Sequence, residues 1–177
     1  EIVYAHFEDK KLREILYKKG HQLEKAFRIL LAFFRRLFRL PSFRRFDAVY
    51  LYREAALAGP AIIESLLRWM GVPIIYDFDD AIWLPAEGSA NKAWNWVRFP
   101  QKTATICKLS THVIVGNDHL AEYARKYNPD VTVIPSVIDT QYHTVREEKE
   151  KGPGEPVVIG WTGSYSTLPY LDAAHTA

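Results

Sequence analysis

The chain has 177 residues, 48% of them hydrophobic and 25% charged, with one cysteine and a net charge of +2. That length and balance suit a soluble globular domain of ordinary size. They exclude a disordered or collagen-like chain and an internal disulfide framework. The longest apolar run, residues 29–34, is far short of the ~18 residues a membrane-spanning helix needs.

In chain order, short β-branched and aromatic runs alternate with helical periods. Residues 2–6 predict a strand, 10–19 a helix and 23–40 a longer helix. Further strands are predicted at 47–52, 73–77, 112–115, 131–134 and 157–160. Helices are predicted at 61–70, 100–109 and 118–127, and another from 167 onward. Strands alternating with helices predict an α/β fold, a parallel sheet with helices on both faces. Gly71 and Asn128-Pro129 are helix stops. Asn117 or Asp118 is an N-cap.

The charge is unevenly spread. Residues 10–45 hold twelve Lys/Arg against two Glu, a net of +10, so the rest of the chain carries −8. The helix at 23–40 has apolar residues at Leu23, Phe27, Leu30, Phe34 and Leu37, and again at Ala26, Leu31 and Phe38, with a 3.6-residue period. Arg28, Arg35, Arg36 and Arg39 fall largely on the other side. Two readings follow. The helix lies on an anionic membrane surface, with these arginines and Phe34 and Phe38 as contacts. Alternatively, its apolar face packs on the sheet and its arginines are solvated.

The chain opens at Glu1 directly into a strand-like run and stops ten residues into a helical pattern. We therefore expect a portion of a longer protein, truncated at both ends. Residues 146–156 (REEKEKGPGEP) are charged and rich in glycine and proline, as surface linkers are. The expected organisation is a first domain over 1–140, a linker over 141–156 and the start of a second domain over 157–177. The apolar strand tail of that second unit predicts either self-association or a disordered tail. The single Cys107, with no signal-peptide pattern in the first residues, suits a reducing cytoplasmic setting.

In open parallel sheets, ligands bind beyond the carboxyl ends of the strands. Asp77, Asp79 and Asp80 stand at such an end. Three adjacent carboxylates repel unless a cation, a hydroxyl or a backbone donor compensates them. They therefore suit a general base, a hydroxyl-binding group or a metal ligand, the alternative being turn chemistry. Arg53 and Glu54 follow the preceding strand, and Trp83 is close enough in sequence to stack on a ligand. Trp94 and Trp96 suit a loop pinned by its own aromatics. Gly160, Thr162, Gly163 and Ser164 lie between a strand and a helix, where backbone N–H groups and hydroxyls can reach a phosphate. Their spacing is neither a P-loop nor a dinucleotide fingerprint. The six histidines are scattered singly, so no zinc site is expected.

Three segments in order, PIIYDFDDAIW (73–83), HVIVGNDHLAEYARKYNPDVTVIPSVIDT (112–140) and VVIGWTGSYSTLPYLDA (157–173), resemble bacterial glycosyltransferases of family 4. The resemblance covers most of the chain from Asp47 onward. It implies the GT-B architecture of two Rossmann-like domains across a cleft, the first holding the acceptor and the second the nucleotide-sugar donor. The implied reaction moves a sugar to an acceptor hydroxyl with retention of configuration, generally without a metal and with no cofactor beyond the donor. The implied setting is cell-surface polysaccharide or glycolipid synthesis, on a glycan or lipid-linked acceptor. Asp79 and Asp80 fall near the strand end that carries a catalytic histidine in several relatives, so they take the catalytic assignment, as groups orienting the acceptor hydroxyl. Asp77, Trp83, Arg53 and Glu54 are assigned to the acceptor, and Gly160, Thr162, Gly163 and Ser164 to the donor phosphates. Where the family usually has Asn-Gly-Val-Asp, this chain has Ser136-Val137-Ile138-Asp139.

Two other classes compete. A strand ending in Asp77-x-Asp79 resembles the nucleophile and acid/base pair of haloacid-dehalogenase-like phosphatases, which would place Mg²⁺ on the carboxylates. That family usually has glycine where Asp80 stands. The basic segment alone would suit a non-enzymatic membrane-binding module. No nucleic-acid fold signature accompanies its charge, so no nucleic-acid partner is expected.

Overall fold

Residues 2–16, 20–84, 99, 101–144 and 160 are described by a computed structural model of the chain. The chain divides into two compact units, Glu1–Ser136 and Val137–Ala177; residues 145–156 of the expected linker lie outside the described residues. Within that second unit Asp139 Oδ1 accepts from the Gln141 and Tyr142 backbone N–H groups at 2.9 and 3.3 Å, forming a turn. The expected strand at 157–160 and the helix from 167 lie outside the described residues, Gly160 apart.

The first unit is built on four parallel strands, β1 (Val49–Tyr52), β2 (Ile74–Phe78), β3 (His112–Val115) and β4 (Val131–Val133), paired in chain order. Three helices make the crossovers: α3 (Ile62–Trp69), α4 (Lys102–Leu109) and α5 (Asp118–Arg125). They follow α1 (Lys10–Ile15), α2 (Gln22–Arg39) and a 3₁₀ helix, Leu40–Arg45. The predicted elements at 47–52, 73–77, 112–115, 118–127 and 131–134 are all found, with ends moved by at most two residues. Asn117 is the cap of α5, its Oδ1 accepting from Leu120 N at 3.0 Å. Gly71 ends α3 at φ +75°, the left-handed conformation glycine adopts without strain.

Residues 2–6 form no strand, contrary to expectation. Guanidinium groups, not a sheet neighbour, satisfy carbonyls there: Arg36 bonds the Ala5 oxygen, and Arg35 reaches the Phe7 oxygen at 2.9 Å.

The sheet is covered on one face. Side chains alternate along a strand, and the register aligns Leu51, Tyr76 and Val113 in one row and Phe78 and Val115 in the next. These are buried with Ile63 and Leu67 of α3, Ile106 and Cys107 of α4, and Leu120, Ala121 and Ala124 of α5. Consecutive right-handed crossovers between neighbouring strands place all their helices on one side. On the opposite face Tyr50, Tyr52 and Thr132 are exposed, and Ile75, Asp77, His112 and Ile114 are only half-buried. The expectation of helices on both faces is thus corrected among the described residues. The strands are not uniformly apolar; Tyr50, Tyr52, Asp77, His112 and Thr132 share the opposite face with Ile75 and Ile114.

Asn128, expected only as part of a helix stop, is a buried staple. Its Nδ2 donates to the Cys107 and Ser110 oxygens at 2.9 and 2.8 Å, and its Oδ1 accepts from Asp130 N at 2.9 Å. It ties the end of α4 to the entry of β4. Asn128→Ala removes three hydrogen bonds at a buried side chain, each worth about 0.5–1.5 kcal/mol. We expect the urea midpoint to fall by an amount equivalent to about 2–4 kcal/mol, with the m-value unchanged.

Candidate functional site

β1 and β2 run parallel with Tyr52 opposite Asp77, so residues leaving their carboxyl ends meet. Residues two apart share a face, which puts Tyr50, Tyr52 and Asp77 on the uncovered side. The Tyr50 hydroxyl donates to Asp77 Oδ2. The Tyr52 hydroxyl donates to Asp79 Oδ1 at 2.9 Å. Arg53 Nη2 reaches Asp79 Oδ1 at 3.2 Å and also pairs with Asp80 Oδ2. Each of the three predicted carboxylates therefore has a donor of its own, and Arg53 neutralises part of their mutual repulsion.

Arg53 sits at φ +61°, the left-handed region, where a non-glycine residue is strained. Its backbone N–H still continues the ladder, donating to the Asp77 oxygen at 2.8 Å. The turn that follows is fixed from inside the protein. Lys102 of α4, 4% exposed, gives its Nζ to Glu54 Oε2 at 2.8 Å and to the Ala56 oxygen at 2.5 Å. Glu64 of α3, wholly buried, accepts from Ala55 N at 3.0 Å. Arg36 of α2 donates to the Ala55 oxygen at 2.8 Å. Glu54 is thus turned inward as an anchor of this loop and is not brought to the Asp77–Asp80 cluster.

Trp83 is not brought there either. Its ring lies flat on Tyr123 of α5, centroids 3.7 Å apart and planes within 2°, with its edge relation to Phe78 on the covered side of the sheet. It packs α5 against the segment after β2, leaving Tyr50 and Tyr52 as the exposed aromatic residues beside the carboxylates. Gly116, at the end of β3, backs onto Asp79; a Cβ there would stand 3.6 Å from the Asp79 Cα, an ordinary contact. Gly160 is exposed; Thr162, Gly163 and Ser164, like Trp94 and Trp96, lie outside the described residues. A groove of about 420 Å³ between α3 and α4, lined by Pro60, Ile62, Leu66, Phe99 and Thr105 among others, contains none of the carboxylates.

The four arginines of α2 do not form the free cationic face expected of them. Arg28 is tied to Glu24 Oε1 at 3.0 Å and Asp9 Oδ2 at 3.2 Å, Arg35 to Phe7, and Arg36 to Ala5 and Ala55. Arg39, Phe34 and Phe38 remain exposed.

Chemically, the cluster is an array of ionised hydrogen-bond acceptors beside two phenol rings. Partial burial works to raise the Asp79 pKa, but the hydrogen bonds from Tyr52 and Arg53 outweigh it, leaving the pKa below its ordinary 3.8. Burial and the bond to Asp77 push the Tyr50 phenol up to about 12. Among the described residues no three His, Cys, Asp or Glu side chains are arranged to hold a metal ion. Sequence reasoning missed Tyr50, Lys102 and Glu64, and placed Tyr52 at the strand end without a role. The alternation Val-Tyr-Leu-Tyr at 49–52 is a signal for the two tyrosines; Lys102 and Glu64 are recognised only by what they touch. No protein-family model matches the chain, and no curated protein or solved structure is found similar to it.

Because the folded pKa of Asp79 is depressed, its contribution to stability is present above the unfolded carboxyl value. It is lost as pH falls through the lowered folded value. The carboxyl carbon of Asp79, followed by NMR, should titrate below 3.8 and move upward in Tyr52→Phe. In Asp79→Asn the acid limb of the stability profile below about pH 4 should flatten.

Proposed function

We propose that the chain forms the acceptor side of a retaining glycosyltransferase of the GT-B type, built on a Rossmann-like sheet. It would transfer a sugar from a nucleotide-sugar donor to a hydroxyl of a glycan or lipid-linked acceptor. The observation carrying this reading is the convergence of Asp77, Asp79 and Asp80 with Tyr50, Tyr52 and Arg53 at the carboxyl ends of two adjacent parallel strands. That is where open α/β sheets take their ligands. Sugar recognition asks for this mixture: ionised carboxylates to accept from hydroxyls, and aromatic faces against the apolar faces of the ring. The order of motifs along the chain supports the same reading.

In this mechanism Asp79 and Asp80 accept the hydrogen bond of the attacking hydroxyl and fix its direction, while Arg53 fixes theirs. The acceptor oxygen forms a bond to the anomeric carbon as the bond from that carbon to the donor diphosphate breaks. The nucleotide diphosphate departs and the hydroxyl proton passes to it. Asp79, with its lowered pKa, is a poor proton store, so its role is orientation. The Tyr50 and Tyr52 rings border the acceptor sugar. The segment containing Gly160, Thr162, Gly163 and Ser164 is assigned to the donor phosphates.

The test is calorimetric titration of a panel of nucleotide sugars into the protein, first in EDTA and then with Mg²⁺. Binding that persists in EDTA is expected and identifies the donor class. Asp79→Asn and Asp80→Asn should leave donor binding unchanged and lower transfer about 10²-fold, the loss that follows misplacing a reacting group. No binding of any nucleotide sugar, together with a Mg²⁺ heat that disappears in Asp77→Asn, would overturn the reading in favour of phosphate-ester hydrolysis.

A further inference from the structure

α2 is seated on a mixed face and leaves a second apolar row uncovered. Its buried residues are Lys25 and Ala32, and Arg36 points inward to Ala55. Its large apolar residues face solvent along nearly the whole helix: Leu23 (88% exposed), Phe27, Leu30, Leu31, Phe34 and Phe38 (84%). At 1.5 Å per residue this row is about 22 Å long. Ile29, Phe33 and Leu37 on its flank pack on the core and hold the helix against the unit. Soluble proteins rarely leave a continuous apolar row of this kind uncovered.

The charge around the row selects what covers it. Arg39 at the end of the helix, and Arg44 and Arg45 in the 3₁₀ turn that continues it, are exposed. The segment over residues 10–45 carries a net +10. Two-fold pairing of the row with a second copy would set that positive charge against itself. An apolar stripe with cationic residues beside it matches the boundary between headgroups and acyl chains in an anionic bilayer. The geometry points to α2 as an in-plane membrane anchor that sinks Leu23, Phe27, Leu30, Phe34 and Phe38 into the lipid interface, with Arg39, Arg44 and Arg45 on anionic headgroups. No described helix is long and apolar enough to cross a membrane, and lying flat requires none. The anchor stands independently of the reaction assigned to the carboxylate cluster.

The experiment is flotation of the 177-residue chain with vesicles of phosphatidylcholine containing phosphatidylglycerol, and with vesicles of phosphatidylcholine alone. The protein should float with the anionic vesicles and be released by salt. Each of Arg39→Gln, Arg44→Gln and Arg45→Gln should weaken partitioning about fivefold. Phe34→Ser with Phe38→Ser should abolish flotation while far-UV circular dichroism and the unfolding midpoint stay unchanged, since both rings are exposed. If that pair unfolds the protein, Leu23→Ser with Phe27→Ser probes the other end of the row. The proposal is overturned if anionic vesicles do not bind the protein, or if binding survives the serine substitutions in folded protein. It is also overturned if sedimentation shows a dimer that those substitutions dissociate while vesicles remain unbound.

Discussion

The arrangement rests on how the three residues after Arg53 are held. Glu54, Ala55 and Ala56 leave the sheet with side-chain and backbone groups that cannot all reach water, Ala55 and Ala56 being buried. Lys102, Glu64 and Arg36, each from a different helix, answer these groups one by one. Interior charges are unfavourable unless partnered. Here the positive and negative groups share one loop, and Glu64 in turn helps to hold Arg36 charged against the desolvation that lowers its pKa. With the loop so fixed, Arg53 is kept in its left-handed conformation, and its guanidinium meets Asp79 and Asp80. A strained residue persists only where its neighbours over-determine it, and the buried Lys102 and Glu64 with the half-buried Arg36 are such neighbours.

The same constraint explains the orientation of α2. Amphipathic periodicity divides a helix into two faces but does not say which one is turned inward. For most helices the hydrophobic effect decides, and residues 23–40 therefore suggest a helix packed by its phenylalanines or one lying on lipid. In the folded unit Arg36 is drawn in by the Ala55 oxygen, and Arg28 and Arg35 by Asp9 and Phe7 on the preceding segment. These charge-assisted bonds are individually stronger than neutral ones. Together with the flanking Ile29, Phe33 and Leu37 they seat the helix on its mixed face. The segment at residues 2–6, strand-like by composition, is recruited to the same purpose: its carbonyls serve guanidinium groups in place of a sheet edge.

Legibility in the sequence divides along physical lines. Strands β2 and β3 and helices α3 and α5 were readable because local signals agreed: β-branched runs, a glycine stop at Gly71 after α3 and an Asn cap at Asn117 before α5. The position of Asp79 and Asp80 followed from topology, since a carboxyl end of a parallel strand is a fixed place in such folds. What was not readable depended on pairing across distance. Glu54 looks like a partner of Arg53 in sequence, yet Lys102, 48 residues away, claims it. Trp83 looks like a ligand platform beside the carboxylates, yet the flat face of Tyr123 occupies its ring. Register, not propensity, assigns Tyr50 and Tyr52 to their carboxylates, and register is set by the neighbouring strand.

One-sided covering of the sheet connects the fold to the cluster. Parallel sheets are normally buried on both faces, and the covered face here follows that rule with Tyr76, Phe78, Val113 and Val115 wholly buried. The other face breaks it at the rows that carry the carboxylates. Placing an apolar helix over Tyr50, Tyr52 and Asp77 would strip water from an ionised aspartate and from phenols whose hydroxyls it holds, a desolvation that one hydrogen bond each does not offset. The tyrosine hydroxyls donate to Asp77 and Asp79, and the bond from Tyr52 helps to hold the Asp79 pKa below its ordinary value. Among the described residues the carboxylates on this face have their donors, and Tyr50 and Tyr52 stay exposed beside them.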